Sequence, residues 1–199
     1  MRTFVALEIS EEVRERLVRF QQKLLQGWAS LKLVEPQNLH LTLKFLGEVE
    51  EGRLGEVEEA LRRGCSGASP FTMEVKGTGV FPSPQYVRVV WAGVGEGWER
   101  VSSLQRDVDR ELGRLGFPRD PEFVPHPTLA RVKSVRDRGG FLRVVEGGRK
   151  EEFGRVEVRE IHLKKSVLTP KGPIYETLRT FHLGWGRTGS GGETASAGL

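Results

Sequence analysis

Cysteine is nearly absent: Cys65 is the only one among 199 residues. A lone thiol cannot close an internal disulfide, which fits a reducing compartment. Histidine is scarce too, with four copies. Two of them, His40 and His126, lie on separate expected strands with one distant Cys and no Asp or Glu cluster nearby, which is a poor zinc set. No run of about 18 apolar residues is present, so no membrane span is expected. The opening stretch has neither the long apolar segment nor the small-residue cleavage site of a signal peptide. The expected location is the cytoplasm.

What remains fits a soluble globular protein, with 37% hydrophobic and 29% charged residues. The net charge of +4 is unevenly spread. Residues 1–60 hold 8 Lys and Arg against 11 Asp and Glu, whereas residues 121–199 hold 14 against 9. A basic second half suits an anionic partner such as nucleic acid, or simply keeps the chain soluble.

Two short strings repeat one another: His40-Leu41-Thr42-Leu43 and His126-Pro127-Thr128-Leu129. Thr is 10 and Leu 22 of 199 residues, so two such hits among four histidines arise by chance roughly 2 times in 10,000. That rarity makes the repeat the leading candidate for a site. In a strand, side chains alternate between faces. His40 and Thr42 then share one face while Leu39, Leu41 and Leu43 take the other, and His126, Thr128 and Ala130 repeat the arrangement. Two such strands side by side offer two imidazoles and two hydroxyls on one floor.

That set has a chemical logic. Imidazole titrates near about 6.5, so one ring can be neutral and take a proton while the other is charged and gives one. Each role is worth roughly 10²–10⁴-fold in rate. Threonine hydroxyls can donate to the non-bridging oxygens of a phosphate. No metal and no cofactor is called for. The competing reading makes the histidines ordinary polar residues on a sheet face. Phe45 either stacks on a base or fills the core, and Arg131 either meets phosphate or base or simply faces solvent. Tyr86 and Arg88 are further candidates for the cleft. Lys164 and Lys165 read as a solvated strand edge. His162 and His182, which lack a Thr two residues on, read as structural or surface residues.

Along the chain, residues 4–9 read as a buried strand. Ser10 reads as an N-cap with Glu11 and Glu12 in the first turn. Val13, Leu17, Phe20 and Leu24 then follow at helical spacing. Strands are expected at 31–34, 40–46, 71–75, 86–94, 156–158, 161–168 and 175–182. Helices are expected at 51–64 and from Trp98 to Leu115, with a short one at 136–147. Phe81-Pro82-Ser83-Pro84 reads as a turn. Residues 184–199, rich in Gly, Ser and Thr, are expected to be a disordered tail. The mixture lacks strict βαβ alternation and argues α+β with antiparallel sheets. The two similar halves suggest two lobes around a shared cleft.

These residues resemble the 2H phosphoesterase superfamily, known for paired His-x-Thr motifs. Asn38-Leu39-His40-Leu41-Thr42-Leu43-Lys44-Phe45-Leu46-Gly47 and Phe123-Val124-Pro125-His126-Pro127-Thr128-Leu129-Ala130-Arg131 resemble the motifs of the bacterial and archaeal RNA 2′,3′-cyclic phosphodiesterases, also called 2′-5′ RNA ligases. The opening Arg2-Thr3-Phe4-Val5-Ala6-Leu7 and the late Ser166-Val167-Leu168-Thr169-Pro170-Lys171-Gly172-Pro173-Ile174-Tyr175 also fit. The resemblance covers residues 1–183 and implies a single bilobal α+β domain with pseudo-two-fold lobes and a central active-site cleft. It implies metal-independent opening of a 2′,3′-cyclic phosphate at an RNA end to a 2′-phosphate. By family pattern His40 is the acid, His126 the base, Thr42 and Thr128 hold phosphate, and Phe45 and Arg131 meet the terminal nucleoside. The expected partner is RNA with a cyclic phosphate end, with no metal, no membrane and no second subunit. The alternatives are 2′-5′ ligation of tRNA-like halves, hydrolysis of small cyclic nucleotides, and an RNA-binding module without catalysis.

Overall fold

A computed structural model describes residues 1–184 of the chain. The expected tail, apart from Gly184, lies outside the described residues.

Among these residues, nine strands and four helices run in the order β1 (Arg2–Leu7), α1 (Glu11–Lys23), β2 (Ala29–Leu33), β3 (Leu41–Glu48), α2 (Leu54–Ser66), β4 (Phe71–Ser83), β5 (Tyr86–Val94), α3 (Trp98–Gly113), β6 (Thr128–Val135), α4 (Arg138–Gly147), β7 (Glu152–Val158), β8 (Glu160–Thr169) and β9 (Gly172–His182). Ser10 caps α1 as its sequence predicts, its hydroxyl accepting from the Val13 amide at 3.3 Å. Val13, Leu17, Phe20 and Leu24 then turn inward and are all buried.

The strands form two antiparallel sheets. One has the order β3-β1-β8-β9, the other β2-β6-β5-β4-β7. In each, the strand entered from a His-x-Thr motif, β3 or β6, lies beside the strand one helix earlier, β1 or β5. The halves of the sequence therefore repeat a β-α-β-α plan. α1 packs on β6 and β7 of the five-stranded sheet, while α3 lies against α2 and touches both β3 of the four-stranded sheet and β4 of the five-stranded one. Strands β8 and β9, from the second half, complete the sheet begun by β1 and β3. Each lobe is thus built from both halves of the chain, so the halves of the sequence are not themselves the lobes.

Some expected elements shift. The first motif strand begins at Leu41, with His40 just before it, and runs on to Glu48. The strand expected to end at 75 continues to Ser83, so Phe81, Pro82 and Ser83 lie in β4 and pair with β5. The peptide bond between Phe81 and Pro82 is cis. The ladder register shifts between Phe81 and Pro82, the kind of irregularity at which a strand admits proline. The turn itself is confined to Pro84 and Gln85.

Candidate active site

Both histidines stand at strand entrances. His40 follows a one-turn 3-10 helix, Pro36–Asn38, and His126 ends an irregular approach from α3. Leu39, Leu41 and Leu43 are buried, as are Leu129 and Ala130, and these side chains pin the motif backbones against the core. The motifs meet at one antiparallel bridge, Leu41 to Pro127. Counting outward from it, His40 stands opposite Thr128 and Thr42 opposite His126. The four residues share the face away from Leu41 and Pro127. The two histidines are diagonal neighbours, a relation that in a regular ladder separates Cβ atoms by about 7–8 Å. Both imidazoles line the same cleft.

Each ring is oriented by the same local device. His40 Nδ1 lies 2.6 Å from the carbonyl oxygen of Asn38, and His126 Nδ1 lies 2.6 Å from that of Val124. A carbonyl only accepts, so Nδ1 carries the hydrogen and donates it. Nε2 is left as the basic nitrogen of the neutral ring. At His40 it meets the Thr42 hydroxyl at 2.7 Å, which donates to it. At His126, Nε2 has no protein partner among the described residues.

The surroundings differ more. The His40 ring stacks on Phe4, 5.1 Å between centroids at 28°, and takes the edge of Tyr175 at 5.4 Å. Among the described residues His126 meets one ring, that of Phe81, edge-on at 4.9 Å. Phe81 is propped in turn by Trp91 at 5.2 Å. Trp91 occupies room that Gly79 leaves: a Cβ there would run into its ring. Burial holds both imidazoles below the ordinary histidine value. At His40 the carbonyl contact and the charge of Glu8 oppose that shift while Lys164 adds to it; at His126 only the carbonyl contact opposes it.

A cleft of about 610 Å³ opens over this floor. All six residues expected from sequence line it: His40, Thr42, Phe45, His126, Thr128 and Arg131. Phe45 is 70% exposed, so it is not a core residue. Its neighbour Lys44 points the other way and is buried against Asp109, with Nζ 2.5 Å from Oδ1. Asp109 also accepts from Arg119 Nε at 2.7 Å and from the Asp120 amide at 3.1 Å, and Lys44 donates to the Pro118 carbonyl. One carboxylate of α3 thereby ties the first motif strand to the approach of the second motif. These donors hold the Asp109 carboxyl below the usual carboxylate range, against the opposing effect of burial.

Other candidates fall elsewhere. Tyr86 and Arg88 do not line the cleft and stack on each other, with the guanidinium 5.0 Å from the ring. Lys164 is not a solvated edge: it is paired with Glu8 and largely covered, because β8 is an inner strand of its sheet. His162 is buried and bonded to the Thr180 hydroxyl at 3.0 Å, and His182 is exposed, as expected. Among the described residues, no three His, Cys, Asp or Glu side chains gather as a metal site requires, and no helix is long and apolar enough to cross a membrane.

Sequence reading missed Phe4, Phe81 and Tyr175 as supports of the imidazoles. Phe81 was hidden by two prolines that read as a turn. Tyr175 carried a signal, because it closes one of the segments that bear the family resemblance. Phe4 carried the same signal, because it lies in the opening segment that also bears the resemblance.

Comparison with known proteins agrees. The family model described as LigT-like phosphoesterase matches residues 7–91 and 94–175, and each segment contains one His-x-Thr motif. A protein of Methanothermobacter thermautotrophicus named RNA 2′,3′-cyclic phosphodiesterase is 43% identical over 183 residues, covering 92% of this chain and 99% of its own length. A protein of Archaeoglobus fulgidus with the same name is 45% identical over 181 residues, covering 91% and 99%. A crystal structure of a Thermus thermophilus protein superposes with a TM-score of 0.73 at 36% identity, covering 92% of this chain and 98% of that one.

Proposed function

Because the chain belongs to the LigT-like phosphoesterase family, we propose that it opens 2′,3′-cyclic phosphates at RNA ends to 2′-phosphates by two-histidine acid–base catalysis. One observation carries the reading. The two motifs run antiparallel past one another with both Nδ1 atoms tied to backbone, which leaves two Nε2 atoms to serve one cleft.

His126 acts as the base. Its Nε2 lone pair is unengaged by the described residues and accepts a proton from water as the water oxygen bonds to phosphorus. The bond from phosphorus to the ribose 3′-oxygen breaks, and His40 Nε2 gives that oxygen its proton. Thr42 and Thr128 donate to the non-bridging oxygens and hold the phosphate in line. Phe45 stacks on the terminal base, worth about 1–3 kcal/mol, and Arg131 meets the terminal nucleoside. Burial holds the His40 imidazole below the ordinary histidine value and so favours its neutral form in the free enzyme. The acid is therefore loaded as substrate enters, because the anionic phosphate favours the imidazolium.

The reaction so written needs no metal, and the cleft is complete within one chain, so a monomer suffices. Residues 1–183 act as one bilobal unit, since the site draws on both sheets. The lone buried Cys65, whose thiol burial pushes up to about 12, suits the reducing cytoplasm.

The test is hydrolysis of an RNA oligonucleotide with a 2′,3′-cyclic phosphate end, in EDTA, with and without a second RNA bearing a 5′-hydroxyl. The expected product is a 2′-phosphate in both arms. A 3′-phosphate, dependence on metal, or joining of the two RNAs in place of hydrolysis would reject the proposal.

A further inference from the structure

A second pocket, of about 320 Å³, shares no lining residue with the cleft. Its volume is at the low end for small-molecule sites. Trp91 of β5, Trp98 at the start of α3, and Val124 and Pro125 of the approach to the second motif give it apolar walls, and Lys76 and Arg149 add two cations. Among the described residues, no Asp or Glu lines it. Trp98 and Val124 stay 43% and 41% exposed, so large apolar side chains are left uncovered here. The cations are held loosely: Lys76 lies 3.6 Å from Glu152 and Arg149 3.8 Å from Glu146, and all four side chains reach solvent. Exposed pairs of this kind are worth little, so either cation is free to turn to an anionic ligand. Two indoles and two available cations without a carboxylate suit a flat, aromatic, anionic ligand, which is the chemistry of a nucleotide.

The pocket adjoins the catalytic floor. In the pairing of β5 with β6, Trp91 stands opposite Thr128. Trp91 also props Phe81, whose ring meets His126, and Val124 supplies the carbonyl that takes the His126 Nδ1 hydrogen. We infer that this pocket binds one nucleotide of the RNA body, upstream of the cyclic end, with its base on Trp98 and its phosphate met by Arg149 and Lys76. The inference rests on the cyclic phosphodiesterase reading, which makes RNA the substrate. Continuity with the cleft selects this occupant. Neighbouring strands lie about 4.8 Å apart, so the step from Thr128 to Trp91 is one strand spacing, and a few linked nucleotides span the two sites. The pocket makes the enzyme favour RNA ends over free cyclic nucleotides.

Adenosine 2′,3′-cyclic phosphate and oligoadenylates of increasing length with the same end test it by kcat/KM. The longest probe should exceed the mononucleotide by about tenfold at low salt, the worth of one stacked base. That gain should shrink as salt rises. Trp98→Ala should remove most of the gain, Trp98→Phe should keep it, and Arg149→Gln should weaken its salt dependence. Each variant is compared with itself on the mononucleotide, so a loss of folded protein cancels. Arg106→Gln removes an exposed charge on α3 outside both pockets and should leave the gain intact. Equal kcat/KM at every length overturns the pocket, as does a gain that survives Trp98→Ala. Binding is read apart from turnover by indole fluorescence during titration with an oligoadenylate that ends in plain hydroxyls. Trp98→Ala should raise the midpoint about tenfold, and an unchanged midpoint also overturns the pocket. Turnover of none of the probes, with that midpoint still shifted by Trp98→Ala, would instead remove the phosphodiesterase reading and leave the pocket standing.

Discussion

His40 and His126 occupy near-copies of one sequence motif, yet their settings are unequal. The first ring is enclosed by Phe4 and Tyr175 and bonded to Thr42. The second meets the ring of Phe81 and, among the described residues, keeps its Nε2 unengaged. What they share is local: a carbonyl two residues upstream that fixes the tautomer, and alternation that sets His and Thr on one face. What separates them comes from distant strands, β1 and β9 for the first and β4 for the second. The motif supplies a general proton-transfer unit, and the tertiary surroundings fit each copy to a different part of the reaction.

The largest expected effect tests whether both copies are needed. His40→Ala and His126→Ala should each lower kcat by roughly 10²–10⁴-fold in cyclic phosphate hydrolysis. The double variant should lose little more than the worse single one, because the pair acts as a unit. Full turnover in either single variant would break the comparison.

Next comes the tie between the motifs. Asp109→Asn leaves Lys44 charged and buried, with its side chain 6% exposed, and should cost about 3–5 kcal/mol in urea unfolding. An unchanged midpoint would show that the two motif approaches are held by something else.

The threonines sharpen the asymmetry. Thr42→Val and Thr128→Val each remove a phosphate donor and should each cost about tenfold in kcat/KM. Of the two, only Thr42→Val should also move a limb of the pH profile, since Thr42 is the one bonded to an imidazole nitrogen of the pair.

The smallest effect is the pH dependence itself. Because burial depresses both imidazoles in the free enzyme, kcat/KM, which reports that state, should peak on the acid side of about 6.5. The profile of kcat should lie at higher pH, because bound phosphate favours the charged ring. Stability follows the same sign. His40, His126 and His162 are all lowered in the fold, so below about 6.5 the unfolded chain takes up protons first. Their contribution is whole above that pH and is lost as pH falls toward the depressed folded values. Thermal unfolding at two pH values reads it.

Much of this was legible in the sequence where local rules decide. Ser10 with Glu11 and Glu12 marked the start of α1, turn signals bounded β5, and the six residues singled out from the repeat and its flanks are among those that line the cleft. Where distant contacts decide, the sequence was silent. Lys164 looks like an exposed strand lysine until β8 is placed beside β1 and Glu8 reaches it. Pro82 and Pro84 signal a turn until a register shift admits Pro82 to a strand, and only then does Phe81 come under His126. The packing of α1 on β6 and β7, strands far along the chain, has no local signature, because an amphipathic helix does not record which sheet it covers.

Two imidazoles, each with Nε2 presented, are proposed to serve one phosphate. Nitrogen-15 NMR titration of the histidine side chains, with and without a 2′-nucleoside monophosphate, tests it most directly. Both the His40 and His126 rings should carry hydrogen on Nδ1 when neutral and titrate below about 6.5 in the free protein. Both should move to higher pH when the nucleotide is added. A response from only one ring, or an Nε2-protonated neutral form at either, would contradict it.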